Sequence, residues 1–283
     1  MNVADGYSNM GSGMMLQRAM EPAEEMALRQ AVAALEGKSF IGRLTEITGG
    51  PLTQILKRMP EPLTAQIQKA VRVALAQALD VALYRMGTSG IPEPPILFQF
   101  ASSVTGGVSG FFGMSGLAVE LPVTTTLILR SIANIAVRQG ETLDHPASRL
   151  ACLEVFALGP QGKDGVPGET SYYAARAFLA KTVKEAAQNL LERRLVGSSA
   201  PVIVDLISSV GSRFGVVVSE KVAAGAIPVV GAMGGAAINV AFMQHFQQLA
   251  RAHFLVRRLE RRYGHEAVQA RYRSYDELRK ARS

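Results

Sequence analysis

The groups able to do chemistry in this chain are few and scattered. Its histidines are His145, His245, His253 and His265, and Cys152 is its only cysteine. A lone thiol excludes an internal disulfide or a multi-cysteine zinc site, and it fits a reducing compartment. His265-Glu266 opens like a zinc-protease signature, but no second histidine follows four residues after the first. His245 and His253 are eight residues apart, about 12 Å along a helix and too far to share a metal ion directly. Gly113-Met-Ser115-Gly116 imitates a nucleophile elbow without a preceding strand. Gly162-Lys163-Asp164 places Asp where a phosphate loop needs Ser or Thr for magnesium, and no dinucleotide-binding glycine fingerprint occurs. Neither a metal nor a cofactor is expected.

Glu120, Arg130 and Glu154 are charges isolated in apolar surroundings. Burying a charge is costly unless it is paired, so each is expected to form an internal ion pair or to line a polar pocket. Glu120 and Arg130 are ten residues apart and cannot meet within one helix, so each must reach another. Glu120, Glu154 and His253 are therefore the candidates for acid–base chemistry on a lipid or a peptide. Arg257 and Glu260 are three apart, and Arg257 and Arg261 four apart. All three share a helix face, where Glu260 can pair locally and leave the arginines for lipid phosphate or for solvent.

The elements that carry these residues read as helices throughout. Pro22, Glu24 and Glu25 start a helix that ends before Gly37. Short pieces follow at Phe40–Ile47 and Thr53–Met59. Pro62 then opens a long helix with Leu63, Ile67, Val71, Leu75, Leu79 and Leu83 at helical spacing, closed by Gly87. The next helix is expected to begin at Glu120-Leu-Pro122 and stop at Gly140. Another runs from Asp144 and Pro146 to Gly159, and one from Glu169 to Leu195. Val202–Val218 is β-branched enough to be a strand, but Gly211 and Gly215 between flanking helices favour a buried helix pair. Pro228 opens a very long helix toward Tyr263, Gly264 stops it, and a basic helix follows from His265. Residues 159–168 are the clearest loop and the best place for an internal boundary.

Composition agrees. The chain is 48% hydrophobic but only 6% aromatic, without tryptophan, which suits close contact of helices bearing small side chains. The net charge of +7 is concentrated at one end, with ten basic against four acidic residues from Arg251 onward. Gly231, Gly235 and Asn239 recur every four residues, as do Gly106 and Gly110, and such stripes let backbones approach closely. Pro94–Val119 carries no charge over 26 residues, and Val222–Phe242 is long enough to span a bilayer. Buried helices, membrane-surface insertion and true spanning all remain open readings of these runs. Tyr263, Tyr272 and Tyr275 alternate with arginines, but Glu260, Glu266, Asp276 and Glu277 dilute the pattern, so nucleic acid is not the expected partner.

Three ordered stretches carry a resemblance. They are Glu120-Leu-Pro122 through Leu129-Arg130 to Ala136, Leu153-Glu154 to Gly159, and Pro228 through Gly231, Gly235 and Asn239 to Phe242 with the following His253-Phe254-Leu-Val-Arg257-Arg258-Leu-Glu260-Arg-Arg-Tyr263-Gly264. Over roughly Pro62–Gly264 the chain resembles the EcsC family of bacterial proteins, named for a gene beside an ATP-binding-cassette transporter linked to secretion. The resemblance implies no established catalytic role for any position; among its motif residues, Arg130, Asn239, Arg257, Arg258, Glu260 and Tyr263 are the ones expected to bind a partner. The expected protein is an all-α multi-helix bundle with a disordered leader at 1–20, one helical domain at 21–264 and a basic helix at 265–283. It is expected in the cytoplasm or at the cytoplasmic face of the inner membrane, peripheral or inserted. The expected role is that of a non-enzymatic accessory or scaffold protein partnered by a membrane surface or a membrane protein such as a transporter. A hydrolase-like enzyme is the alternative.

Overall fold

A computed structural model describes residues 19–48, 52–85, 113–159, 171–191, 201–226 and 228–282. These form ten α-helices and one 3-10 turn, with no strand among the described residues. The helices are α1 (Pro22–Leu35), α2 (Phe40–Thr48), α3 (Leu52–Lys57), α4 (Glu61–Arg85), α5 (Gly113–Arg138), α6 (Pro146–Glu154), α7 (Ser171–Leu191), α8 (Pro201–Gly225), α9 (Pro228–Tyr263) and α10 (His265–Lys280). The 3-10 turn, Val155–Ala157, follows α6. The fold class is all-α, as the sequence implies.

α9 is the spine. Its 36 residues extend about 54 Å at the α-helical rise, and it packs against α1, α2, α5, α8 and α10. Phe156, Phe214, Phe242 and Phe246 interlock at ring separations of 4.9–6.1 Å and join α8, α9 and the 3-10 turn. Gly264, at φ +86°, ends α9 where the sequence places the stop, and α10 then buries Val268 and Tyr272 in the same core. Ile67, Val71, Leu75 and Leu79 form the buried stripe of α4.

The β-branched stretch is helical, and α4 shows why its glycines matter. A Cβ on Gly215 would lie 2.4 Å from the Gln68 side chain, and one on Gly211 would touch Val71 and Leu75 at 3.5 Å. Gln68 fills the space over Gly215, Gly211 sits at ordinary contact distance, and the packing of α8 on α4 outweighs the strand propensity of its valines.

Two expectations are corrected. α5 begins at Gly113, seven residues before Glu120, and carries Pro122 inside it. The proline therefore removes one backbone bond from a continuing helix instead of opening a new one. Arg130 is exposed: it falls on the outer stripe with Val123 and Val137, which are 45% and 42% exposed. It is not a buried charge in search of a partner. The runs at 94–112, the loop at 160–170 and the leader at 1–18 lie outside the described residues. The side chains of the Gly231–Gly235 stripe do too, although its backbone belongs to α9.

Candidate functional site

The polar centre begins at the end of α5. Gly140, at φ +81°, terminates the helix with its N–H on the Val137 carbonyl, and the Glu141 N–H reaches the Ala136 carbonyl. This double closure needs the left-handed conformation that glycine adopts at little cost, and it delivers Glu141 to a fixed place. Glu141 there accepts from Arg257 Nε at 2.8 Å, Arg257 Nη2 at 3.3 Å, Ser148 Oγ at 2.9 Å and Arg261 Nη1. Its carboxyl is held below the usual range: burial pushes upward, but the Arg257 and Ser148 hydrogen bonds and the Arg257 and Arg261 charges prevail.

A second carboxylate stands one turn further along α9. Glu260 receives Arg176 Nη1 at 2.7 and 3.0 Å and the Tyr173 hydroxyl at 3.1 Å, with His265 Nδ1 at 3.0 Å. The expected local pairing of Glu260 with Arg257 gives way to these pairs. The shared face of α9 points inward, so its charges are matched across helices instead of along one. Tyr172 lies beneath Arg176 and bonds His253 Nδ1 at 3.1 Å. Glu36, just past α1, accepts the Ser171 and Tyr172 backbone N–H groups at 3.0 and 2.9 Å and the Tyr272 hydroxyl at 3.1 Å. It thereby places an anion at the N-terminus of α7.

Glu154 and His253 share this neighbourhood. Glu154 is 8% exposed and has no hydrogen bond or ion pair among the described residues. Burial raises its carboxyl, opposed by the charges of Arg257 and Arg176 and assisted by those of Glu141 and Glu260. His253 is fully buried, its Nε2 has no partner among the described residues, and burial together with Arg176 and Arg257 holds the ring neutral. Glu141, His145, Ser148, Arg257, Glu260 and Arg261 line an adjoining cleft of about 470 Å³.

The remaining candidates lie elsewhere. Glu120 pairs with Lys221 at 2.5 Å, and the lysine also sits 5.0 Å over the Phe242 ring. Asn239 is buried on α9, Arg258 is half-buried, and Tyr263 gives its hydroxyl to Glu24. Arg262 bridges Glu21 and Glu24 at 2.6 and 2.8 Å, Arg271 pairs with Glu25, and Arg29 covers Tyr275 at 4.7 Å. The alternating tyrosines and arginines of the C-terminal helices thus clamp α1. Glu141, Arg176, Tyr172, Tyr173 and Glu36 were not singled out by sequence. Local sequence does flag three of them, because Tyr172 and Arg176 are four apart and Glu141 follows a helix-ending glycine.

Chemically the centre is equipped to hold charge. Ser148 donates to a carboxylate made less basic by two arginines, and burial pushes the Cys152 thiol up into its unreactive form. No group of His, Cys, Asp or Glu among the described residues could hold a metal. Fold and site together define a helical bundle protein organised around a buried ionic network. The profile of the EcsC protein family matches residues 97–259, more than half of the chain. The chain belongs to the EcsC family. The match takes in Glu120, Glu154, Asn239, His253 and Arg257 and stops one residue before Glu260, short of the wider span of the resemblance. No curated protein and no solved structure matches.

Proposed function

We propose that this EcsC-family chain is a non-enzymatic accessory protein at the cytoplasmic face of a membrane, held by apolar side chains more than by its basic tail and working beside a membrane protein such as a transporter. The α7–α8 pair carries this reading. α8 is the one helix among the described residues long and apolar enough to cross a membrane, and only 50% of its apolar stretch is buried. Val204 and Val216 are 47% and 44% exposed on α8, and Phe178 and Leu191 are 60% and 65% exposed on the adjoining α7. Lys181 and Lys184 are exposed on that same helix. Apolar side chains flanked by lysines suit the boundary between headgroups and acyl chains. Full insertion of α8 would strip its contacts with α2, α3, α4, α7 and α9, so the reading is a helix pair lying on the surface.

Flotation with phosphatidylglycerol vesicles tests it. The full chain should float at low and at high salt, and a Phe178→Ser/Leu191→Ser variant should lose most of that binding while keeping its helical spectrum. A chain that stays with the soluble fraction at every salt concentration would sink the proposal.

One observation favours a second reading, a hydrolase-like activity. Glu154 and neutral His253 lie in the common field of Arg176 and Arg257. Lack of turnover of lipid ester and peptide substrates by the full chain would dispose of it.

A further inference from the structure

The outer stripe of α5 has the spacing of a helix-pairing seam. Val123, Leu127, Arg130, Asn134 and Val137 follow one another at intervals of four, three, four and three residues, the alternation by which one helix meets another along its length. Val123 and Val137 are 45% and 42% exposed, Arg130 is exposed, and Leu127 and Asn134 are half-buried between them. The seam is about 21 Å long, about four turns of helix. The other side of α5 packs on α4, α6 and α9.

Charge selects the occupant. Arg130 stands at the centre, seven residues from each valine, and has no hydrogen bond or ion pair among the described residues. Glu120 is the only acid within α5, and it is turned inward to Lys221. Arg138, one turn beyond Asn134, is the other exposed charge of the helix and donates to the Asn134 Oδ1 at 3.0 Å. The exposed side of α5 is therefore positive, with no acid of its own. A second copy of the chain fits badly, because the seam is symmetric about Arg130. Parallel or antiparallel pairing in full register would set Arg130 against Arg130, and like charges in a contact are repelled. A lipid surface gains little here. Two half-exposed valines and a half-buried leucine make a narrow apolar strip, broken in the middle by Arg130 and Asn134.

We propose that the outer stripe of α5 docks a helix of a different protein, one with an apolar seam and an Asp or Glu at its centre. Val123, Leu127 and Val137 meet its apolar side chains, and the Arg130 guanidinium donates to its carboxylate. Arg130 is the selecting residue. Its planar fork suits a carboxylate, and withdrawing it from water without that acid is costly, so a neutral or basic residue opposite it is rejected. The inference stands whether or not the α7–α8 pair meets a membrane.

Photo-crosslinking in native cells tests it, with Val137→benzoylphenylalanine in the full chain. The adduct should contain one other protein, cross-linked within a helical segment that carries Asp or Glu about seven residues from the cross-linked position. Arg130→Glu should keep the helical spectrum and the urea midpoint of the native chain, because Arg130 is solvated there, and should lower the adduct at least about tenfold. Arg130→Lys should lower it less, and exchanging the partner's acid for Lys should restore it to Arg130→Glu. An adduct with a phospholipid or with a second copy would overturn the proposal. So would a yield no higher than that from Met26→benzoylphenylalanine, a control on α1 at a residue 63% exposed. A protein adduct that Arg130→Glu leaves unchanged, or whose loss the charge exchange does not reverse, would overturn it as well.

Discussion

Glu120 and Lys221 meet across α5 and α8 at 2.5 Å with 12% and 8% of their side chains exposed, whereas Glu141 collects donors from Arg257, Arg261 and Ser148. The first site is closed: one acid, one base and an aromatic ring beneath the ammonium. The second is branched, and it adjoins Glu260 with its own partners, the unpaired Glu154 and an open cleft. A closed pair satisfies only itself, while a branched network ties several helices to one carboxylate, so that losing one member strands several others. That difference, more than the burial of any one acid, separates a pair that can be replaced as a unit from a network that cannot.

The comparison can be broken by mutation. Glu141→Ala should cost the most, about 3–5 kcal/mol in urea unfolding, because it abandons two arginines at once. The native chain should itself weaken as pH falls below about 4.5, through the depressed titration of Glu141. At the closed pair, Lys221→Met alone should cost about 3 kcal/mol, whereas the Glu120→Leu/Lys221→Met double variant should come within about 1 kcal/mol of the native chain or exceed it. The equivalent apolar replacement of Glu141 and Arg257 should not recover, since Arg261 and Ser148 keep their side of the network. Glu220 gives a smaller effect of opposite sign. Its carboxyl accepts the Ile41 N–H at 3.0 Å, and burial pushes it up to about 7 from 4.5. A raised carboxyl means the folded state prefers the proton, so the native chain loses stability as pH rises from 4.5 to 7. Glu220→Gln should gain about 1–3 kcal/mol over the native chain at pH 8, and the gap should close below pH 4.5. Arg130→Ala, on the outer stripe of α5, should change stability by less than about 0.5 kcal/mol.

Local punctuation made much of the fold legible. Pro228 and Gly264 bound α9, and Pro22 opens α1, because proline at a helix start and glycine past its end act on their own few residues. Pro122 misled for the same reason: the rule sees an opening proline and not the turns of helix packed ahead of it. Arg130 was misjudged because its outward neighbours Val123 and Val137 are apolar, which hides the seven-residue stripe they share. Glu154, His253, Arg257 and Glu260 were visible from charge in apolar context and from the family motif. Their partners were not, since Arg257 meets Glu141 116 positions away, Arg176 meets Glu260 84 away, and Ser171 meets Glu36 135 away. No periodicity reports a pairing that only the packed bundle creates.

The basic tail taught the same lesson. Arg262, Arg271, Arg279 and Lys280 have carboxylate partners, so formal charge overstates what the surface offers to lipid. Fractionation of native cells, with a salt wash followed by a carbonate wash of the membrane pellet, tests the proposed role most directly. The chain should stay with the membrane through the salt wash and leave in carbonate, as an apolar surface contact requires. Its presence wholly in the soluble fraction, or complete release by salt alone, would contradict that role.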